Sequence, residues 1–202
     1  MLQDNNAWEQ ICEQWQERIW DATPKLEFRS PKRLYTQILK DLIAAENARK
    51  LKTKQHEIRA LLKFKKAEPK HIEQYGSGTM AILGGSKNLK RRKDIVQYPY
   101  FERVDGCWFD FSILLNSDRK PVEILGFDFE IRFPEKYGVT FLRFDLNPPK
   151  HRNEERGMRF HIHPGHEDLM IPSSPLSPLE ILSLFLYGIT PQSRSRTRAL
   201  SI

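Results

Sequence analysis

The 202-residue sequence predicts an α+β protein: a helical, basic N-terminal region, then an antiparallel sheet of four to five strands covered on one face by a C-terminal helix. Three observations carry this expectation. Apolar residues recur at helical spacing in the first third of the chain, alternate with polar residues from about Tyr98, and return to helical spacing in a capped segment near the C-terminus. The expected divisions are a helical region over 1–70, a Gly-rich and basic loop over 71–97, the sheet and its helix over 98–190, and a disordered Ser/Arg/Thr tail over 191–202.

Trp8, Ile11, Cys12, Trp15, Ile19 and Trp20 share one stripe of a first helix over 5–21. Such a stripe serves as a core face or as a surface for a protein partner. Ser30-Pro31 opens a second helix, with Ser30 as N-cap and Pro31 at the first helical position. Leu34, Ile38, Leu42 and Ala45 form its apolar face, and the pattern runs on through Leu51, Ile58, Leu61, Leu62 and Phe64 until Pro69 stops it. Strands follow over 107–115, 124–133, 139–146 and 157–163. The turn clusters at 116–121 and 134–138 are short, which predicts a meander. Ser177-Pro-Leu-Glu180 is a capping box, with Leu179, Ile181, Leu182, Phe185 and Leu186 as the apolar face of the last helix. Gly188 ends it and Pro191 prevents a restart.

Hydrophobic residues make up 39% and charged residues 29%, the composition of a soluble globular chain. Cys12 and Cys107 are too few for a disulfide scaffold, so a reduced, cytoplasmic protein is expected. No apolar run is long enough to span a bilayer and no basic-then-apolar leader opens the chain, so neither a membrane nor secretion is expected.

The charge is uneven. The formal net charge is +7, and residues 1–100 hold 20 Lys/Arg against 12 Asp/Glu, while residues 101–202 hold 13 against 14. The basic residues concentrate over 49–70 and again at Lys87, Lys90, Arg91, Arg92 and Lys93. A patch of that density attracts polyanions through counterion release, so RNA or DNA is the expected partner. A solvated helix face uses the same residues. Gly84-Gly85-Ser86-Lys87 lacks the spacing of a phosphate-binding P-loop.

Alternation sorts the strands into two faces. Phe109, Phe111, Ile113, Phe127, Phe129, Ile131, Phe133, Leu142, Phe144, Leu146, Met158, Phe160 and Ile162 fall on one. Asp110, Asp128, Glu130, Arg132, Arg143, Asp145, Arg159, His161 and His163 fall on the other. His161-Ile-His163-Pro-Gly-His166-Glu-Asp168 is the densest chemical signal, with His151 upstream. Three readings stay open. His161 and His163 ligate a divalent metal with Asp145 or Glu130. Alternatively they exchange protons while Arg143 or Arg159 holds a phosphate. Alternatively they make ordinary hydrogen bonds around a turn. No cofactor is called for, apart from the metal of the first reading.

Phe127-Asp-Phe-Glu-Ile-Arg132, Leu142-Arg-Phe-Asp145, Phe160-His-Ile-His-Pro-Gly165, Leu169-Met-Ile-Pro172 and Leu176-Ser-Pro-Leu-Glu180 occur in that order. Together they resemble a group of bacterial proteins that includes the TumE-like toxins of toxin–antitoxin pairs, and a longer family of about this length. The resemblance covers about residues 124–187 and leaves out the N-terminal helices and the basic loop. It implies a toxin or defence role acting on RNA, and carries over Arg143, Asp145, His161 and His163 by motif position. The expected function is a nucleic-acid-directed protein, in its enzymatic form a ribonuclease using these four residues. The alternative is a non-enzymatic protein that docks a cognate protein or ribonucleoprotein partner through its basic loop and tryptophan helix.

Overall fold

Ser30 starts the first long helix as its sequence predicts. Its Oγ accepts from the Arg33 amide at 3.2 Å, and Pro31 occupies the first turn of α1 (Pro31–Asn47). The computed structural model describes residues 27–86 and 99–191, with Gln14 alone ahead of them. The tryptophan helix over 5–21, the basic residues Lys87, Lys90, Arg91, Arg92 and Lys93, and the tail beyond 191 therefore lie outside the described residues.

The helical pattern does not run on to Pro69. Arg49 takes a left-handed conformation (φ 56°), and the Lys50 amide turns back to the Ala45 carbonyl at 2.8 Å, which ends α1. A short α2 (Gln55–Leu61) follows, and then Leu62–Lys66 extends as strand β2. Pro69 opens a helix, α3 (Pro69–Tyr75), rather than stopping one. Thr79–Gly84, inside the segment expected to be a loop, is strand β3 and pairs with β2 in antiparallel register.

The sheet is larger than the four to five strands expected. Besides β2 and β3 it contains β1 (Glu27–Phe28), β4 (Phe101–Glu102), β5 (Trp108–Asn116), β6 (Val122–Arg132), β7 (Phe141–Leu146), β8 (Phe160–Pro164) and β9 (Ile171–Pro172). The order is β2-β3-β5-β6-β7-β8-β9, with β1 beside β6 and β4 beside β5, and every pair is antiparallel. The meander from β5 to β8 follows the expected alternation. Of the two extra strands at its edge, β3 is set by pairing with β5 and β2 by pairing with β3, which local periodicity does not reveal.

The apolar face carries the core. Phe109, Phe111, Phe129 and Phe160 are buried, and Phe111 stacks on Phe129 with ring centroids 4.8 Å apart. The capping box forms as expected at α4 (Pro178–Ser183), with Ser177 N–H donating to Glu180 Oε2 at 2.7 Å. The helix then widens into a π turn over Leu184–Gly188. It brings Phe185 edge-on to Phe129, with centroids 6.1 Å apart and both side chains at 0% exposure. Leu34, Ile38, Leu42 and Ala45 of α1 and Ile58 of α2 enter the same core, so among the described residues α1, α2 and α4 all contribute to the cover of this face. On the opposite face Ala81, Leu114 and Leu125 pack under Ile72 and Tyr75, which seats α3 beside the polar residues of the sheet.

Candidate metal centre

The polar face is organised in rows by the strand register. One row runs Asp110, Glu130, Arg143, His163 across β5 to β8, and the next runs Ser112, Asp128, Asp145, His161. Leu83 and then Lys63 extend the second row onto β3 and β2. Alternation along β5 to β8 therefore delivers the charged groups and histidines of these two rows to one side, as the sequence predicts.

Within the first row the charges pair. Arg132 holds Asp110 at 3.0 Å and Glu130 at 2.6 Å, and Arg143 holds Asp145 at 2.9 Å, Glu167 at 2.8 Å and Glu130 at 3.5 Å. Glu130, a candidate ligand by sequence, thus sits between two guanidiniums. Arg159 turns to the Asn147 and Leu125 carbonyls at 3.1 and 3.2 Å. His166 is exposed, and its Nδ1 accepts from the Asp168 amide.

Asp145, His161 and His163 converge. His161 Nε2 lies 3.1 Å from His163 Nε2, and Asp145 Oδ2 lies 3.6 Å and 3.4 Å from these two nitrogens. Ligand atoms about 2.0–2.1 Å from a tetrahedral centre stand about 3.3–3.4 Å apart, so these three atoms already have the spacing of one metal's ligands. The tautomer also fits. His161 Nδ1 lies 2.9 Å from the Met158 carbonyl, which only accepts, so Nδ1 carries the proton and Nε2 presents its lone pair inward. His161 and His163 are 2% and 4% exposed, and the Asp145 side chain 13%.

Protonation states follow from burial. Desolvation lowers the pKa of His161 to about 4, with the charge of Asp145 opposing it and His163 adding to it. Burial pushes the Asp145 carboxyl up, but the His163 hydrogen bond and Arg143 outweigh it and hold the carboxyl below its ordinary value. At neutral pH the cluster is therefore a neutral His161 facing a carboxylate, the forms that bind a divalent cation. Asp145 Oδ1 and His163 Nδ1 are buried with no hydrogen-bond partner among the described residues.

No family model, curated protein or solved structure matches the chain.

A cleft of about 500 Å³ opens beside the centre, reaching Asp145 and Arg143. Lys70 and His71 of α3 form one bank, and Asn147, Pro148 and His151 of the β7–β8 loop form the other. Tyr75 Oη ties the banks together by donating to the Pro149 carbonyl at 2.9 Å. Gly126 is part of the floor, where a Cβ would come within 2.7 Å of the Leu146 carbonyl and 3.0 Å of Pro148. In the sequence Lys70 stands out only as part of a basic run, and neither His71 nor Asn147 belongs to a motif. The sole local signal was Glu68-Pro69, an N-terminal helix signature.

Proposed function

We propose that this protein is a nucleic-acid-directed hydrolase in which Asp145, His161 and His163 hold one divalent metal beside a phosphate-binding cleft. The observation that carries the reading is the approach of three ligand atoms to 3.1–3.6 Å, with the His161 tautomer already turned inward. Three protein ligands leave a position for water or substrate, the arrangement of catalytic rather than structural sites. A bound metal would polarise a phosphoryl oxygen and acidify a water. Arg143, lining the cleft, would offset charge on the reacting phosphate. Hydrolysis adds water across one P–O bond. The water oxygen joins phosphorus, one proton goes to the leaving oxygen, and the other stays with the new phosphomonoester or passes to solvent.

The polyanion preference rests on charge. Lys63 is in the same register row as Asp145, Lys65 faces the same way on β2, and Lys70 borders the cleft. The resemblance of residues 124–187 to the TumE-like toxins points to RNA and to a toxin or defence role. The deciding experiment incubates the purified protein with labelled single-stranded RNA and Zn²⁺, Mn²⁺ or Mg²⁺. Cleavage that stops with chelator, and in His161→Ala and His163→Ala, is expected. RNA left intact across pH 5–8 with every metal would overturn the hydrolase and leave the non-enzymatic docking role.

A further inference from the structure

We propose that the cleft lined by Tyr100, Trp108, Phe133, Pro134 and Glu135 is a stacking subsite for one nucleobase of a single strand, reading guanine through Glu135. The proposal rests on the nucleic-acid reading of the metal centre and extends it to substrate class.

The placement follows from the register. Trp108, Asp110 and Ser112 alternate along β5 and share the polar face, and Glu102 of β4 and Arg132 of β6 flank Trp108. The cleft is therefore on the same side of the sheet as Asp145 and the histidines. Four residues along β5 and two strands across separate Trp108 from Asp145, about 16 Å at the usual strand rise and spacing. An extended single strand covers that span with a few nucleotides.

The cavity measures about 430 Å³, within the about 300–1,000 Å³ typical of small-ligand sites. Tyr100 and Trp108 have ring centroids 5.8 Å apart at 38°, so the two rings are in contact on one wall. Pro134 and Phe133, which also packs against the core, complete the lining. Gly106 keeps the space open, since a Cβ there would come within 3.3 Å of the Pro134 ring.

Aromatic walls with carboxylates suit either a cation or a base. Charge favours the base. Glu102 is already neutralised by Lys52 at 2.9 Å, and Arg132 is held by Asp110 and Glu130. Glu135 stands exposed at the rim. A lone exposed carboxylate attracts a cation weakly in water. Against a stacked base it is a two-oxygen acceptor. Guanine offers N1–H and N2–H side by side to such a group, whereas uracil offers one N–H flanked by carbonyls. A duplex keeps these edges paired, so the ligand is single-stranded.

The test measures fluorescence anisotropy of labelled RNA hexamers in chelator, comparing all-uridine with a hexamer carrying one guanosine, and with a duplex. The guanosine hexamer should bind about tenfold more tightly than all-uridine, and Trp108→Ala should lose about tenfold for it, the usual scale for one stacked base. Trp108→Phe should restore most of the loss. Glu135→Gln, an exposed change that keeps the fold, should erase the guanosine preference. Equal affinity for both hexamers, preference for the duplex, or a guanosine preference intact in Glu135→Gln would overturn the proposal. Because binding is read in chelator, the two readings fail separately. Guanosine preference without RNA cleavage sinks the hydrolase alone, and cleavage without base preference sinks the subsite alone.

Discussion

His161 Nε2 and His163 Nε2 lie 3.1 Å apart, although the two imidazoles are both buried and leave one strand on the same side. Two ring nitrogens at that distance share either a proton or a cation, and the Asp145 carboxylate beside them favours a cation.

The protein should therefore bind one Zn²⁺ or Mn²⁺ per chain, and His163→Ala should abolish the binding. At free metal 100 times the dissociation constant, binding adds about 2.7 kcal/mol of stability. For a chain of this size that raises the melting temperature by about 5–10 °C. Melts of wild type unmoved by Zn²⁺, Mn²⁺ and Mg²⁺ would remove the centre.

Acid should weaken the metal-free fold before the carboxylates titrate. His161 has a pKa of about 4 in the fold, chiefly from burial, against 6.5 for an ordinary imidazole. Between those values the unfolded chain binds a proton that the native state refuses, so stability falls as pH drops from 6.5 towards 4. The loss from this residue is on the order of 3 kcal/mol. The lowered Asp145 carboxyl acts in the same direction only below about 4. Urea unfolding in chelator at pH 7 and pH 4.5 measures the loss, and His161→Gln should flatten it. A wild-type free energy that is level across this range contradicts the assignment.

The polar face was legible because strand periodicity is two. Once Phe127, Phe129 and Ile131 were assigned inward, Asp128 and Glu130 had to face outward. Short turns then fixed β5 to β7, and β8 joined the same face through its own alternation; the long 147–159 loop left its register to strand pairing, which sets Asp145 opposite His161. Two things were not legible. Leu-Lys-Phe-Lys-Lys at β2 continues a helical pattern in sequence, and becomes a strand through its pairing with Thr79–Gly84. The bank of the cleft formed by Lys70 and His71 depends on α3 packing over Ala81 and Leu114, a contact between distant segments that no local pattern encodes.

Arg103 should be among the most costly single changes outside the core. It is 8% exposed, donates to the Phe185 carbonyl and, at 2.8 Å, to that of Ile189, and pairs with Asp105 at 2.7 Å. One guanidinium thus satisfies the end of the closing helix and neutralises a half-buried carboxylate. Arg103→Met removes the donor from both helix-end carbonyls and leaves Asp105 with the Cys107 amide at 3.1 Å but no countercharge, and should cost about 3–5 kcal/mol by urea unfolding. Arg103→Met with Asp105→Asn should recover part of that, because the orphaned charge is gone. A loss under about 1 kcal/mol would show that water replaces the guanidinium at no great penalty.

Nucleic-acid binding should depend on salt through one face of the sheet. Ser86 N–H donates to the Pro99 carbonyl at 2.7 Å, so the two described residues that flank Lys87 to Lys93 in sequence meet at one point. That point is on the polar face, since a Cβ on Gly85 would stand 3.1 Å from Asp110 Cβ. Each phosphate contact on a single strand contributes about 0.7 to the slope of log affinity against log salt. Replacing Lys90, Arg91, Arg92 and Lys93 by Ala should lower that slope by up to about 3, with equal loss for all sequences. Replacing Lys32, Arg33 and Lys40, exposed on α1 across the sheet, should leave it nearly unchanged. Titrations at several salt concentrations separate the two sets. An equal fall per charge removed would mean that total charge, and not which residues carry it, governs binding.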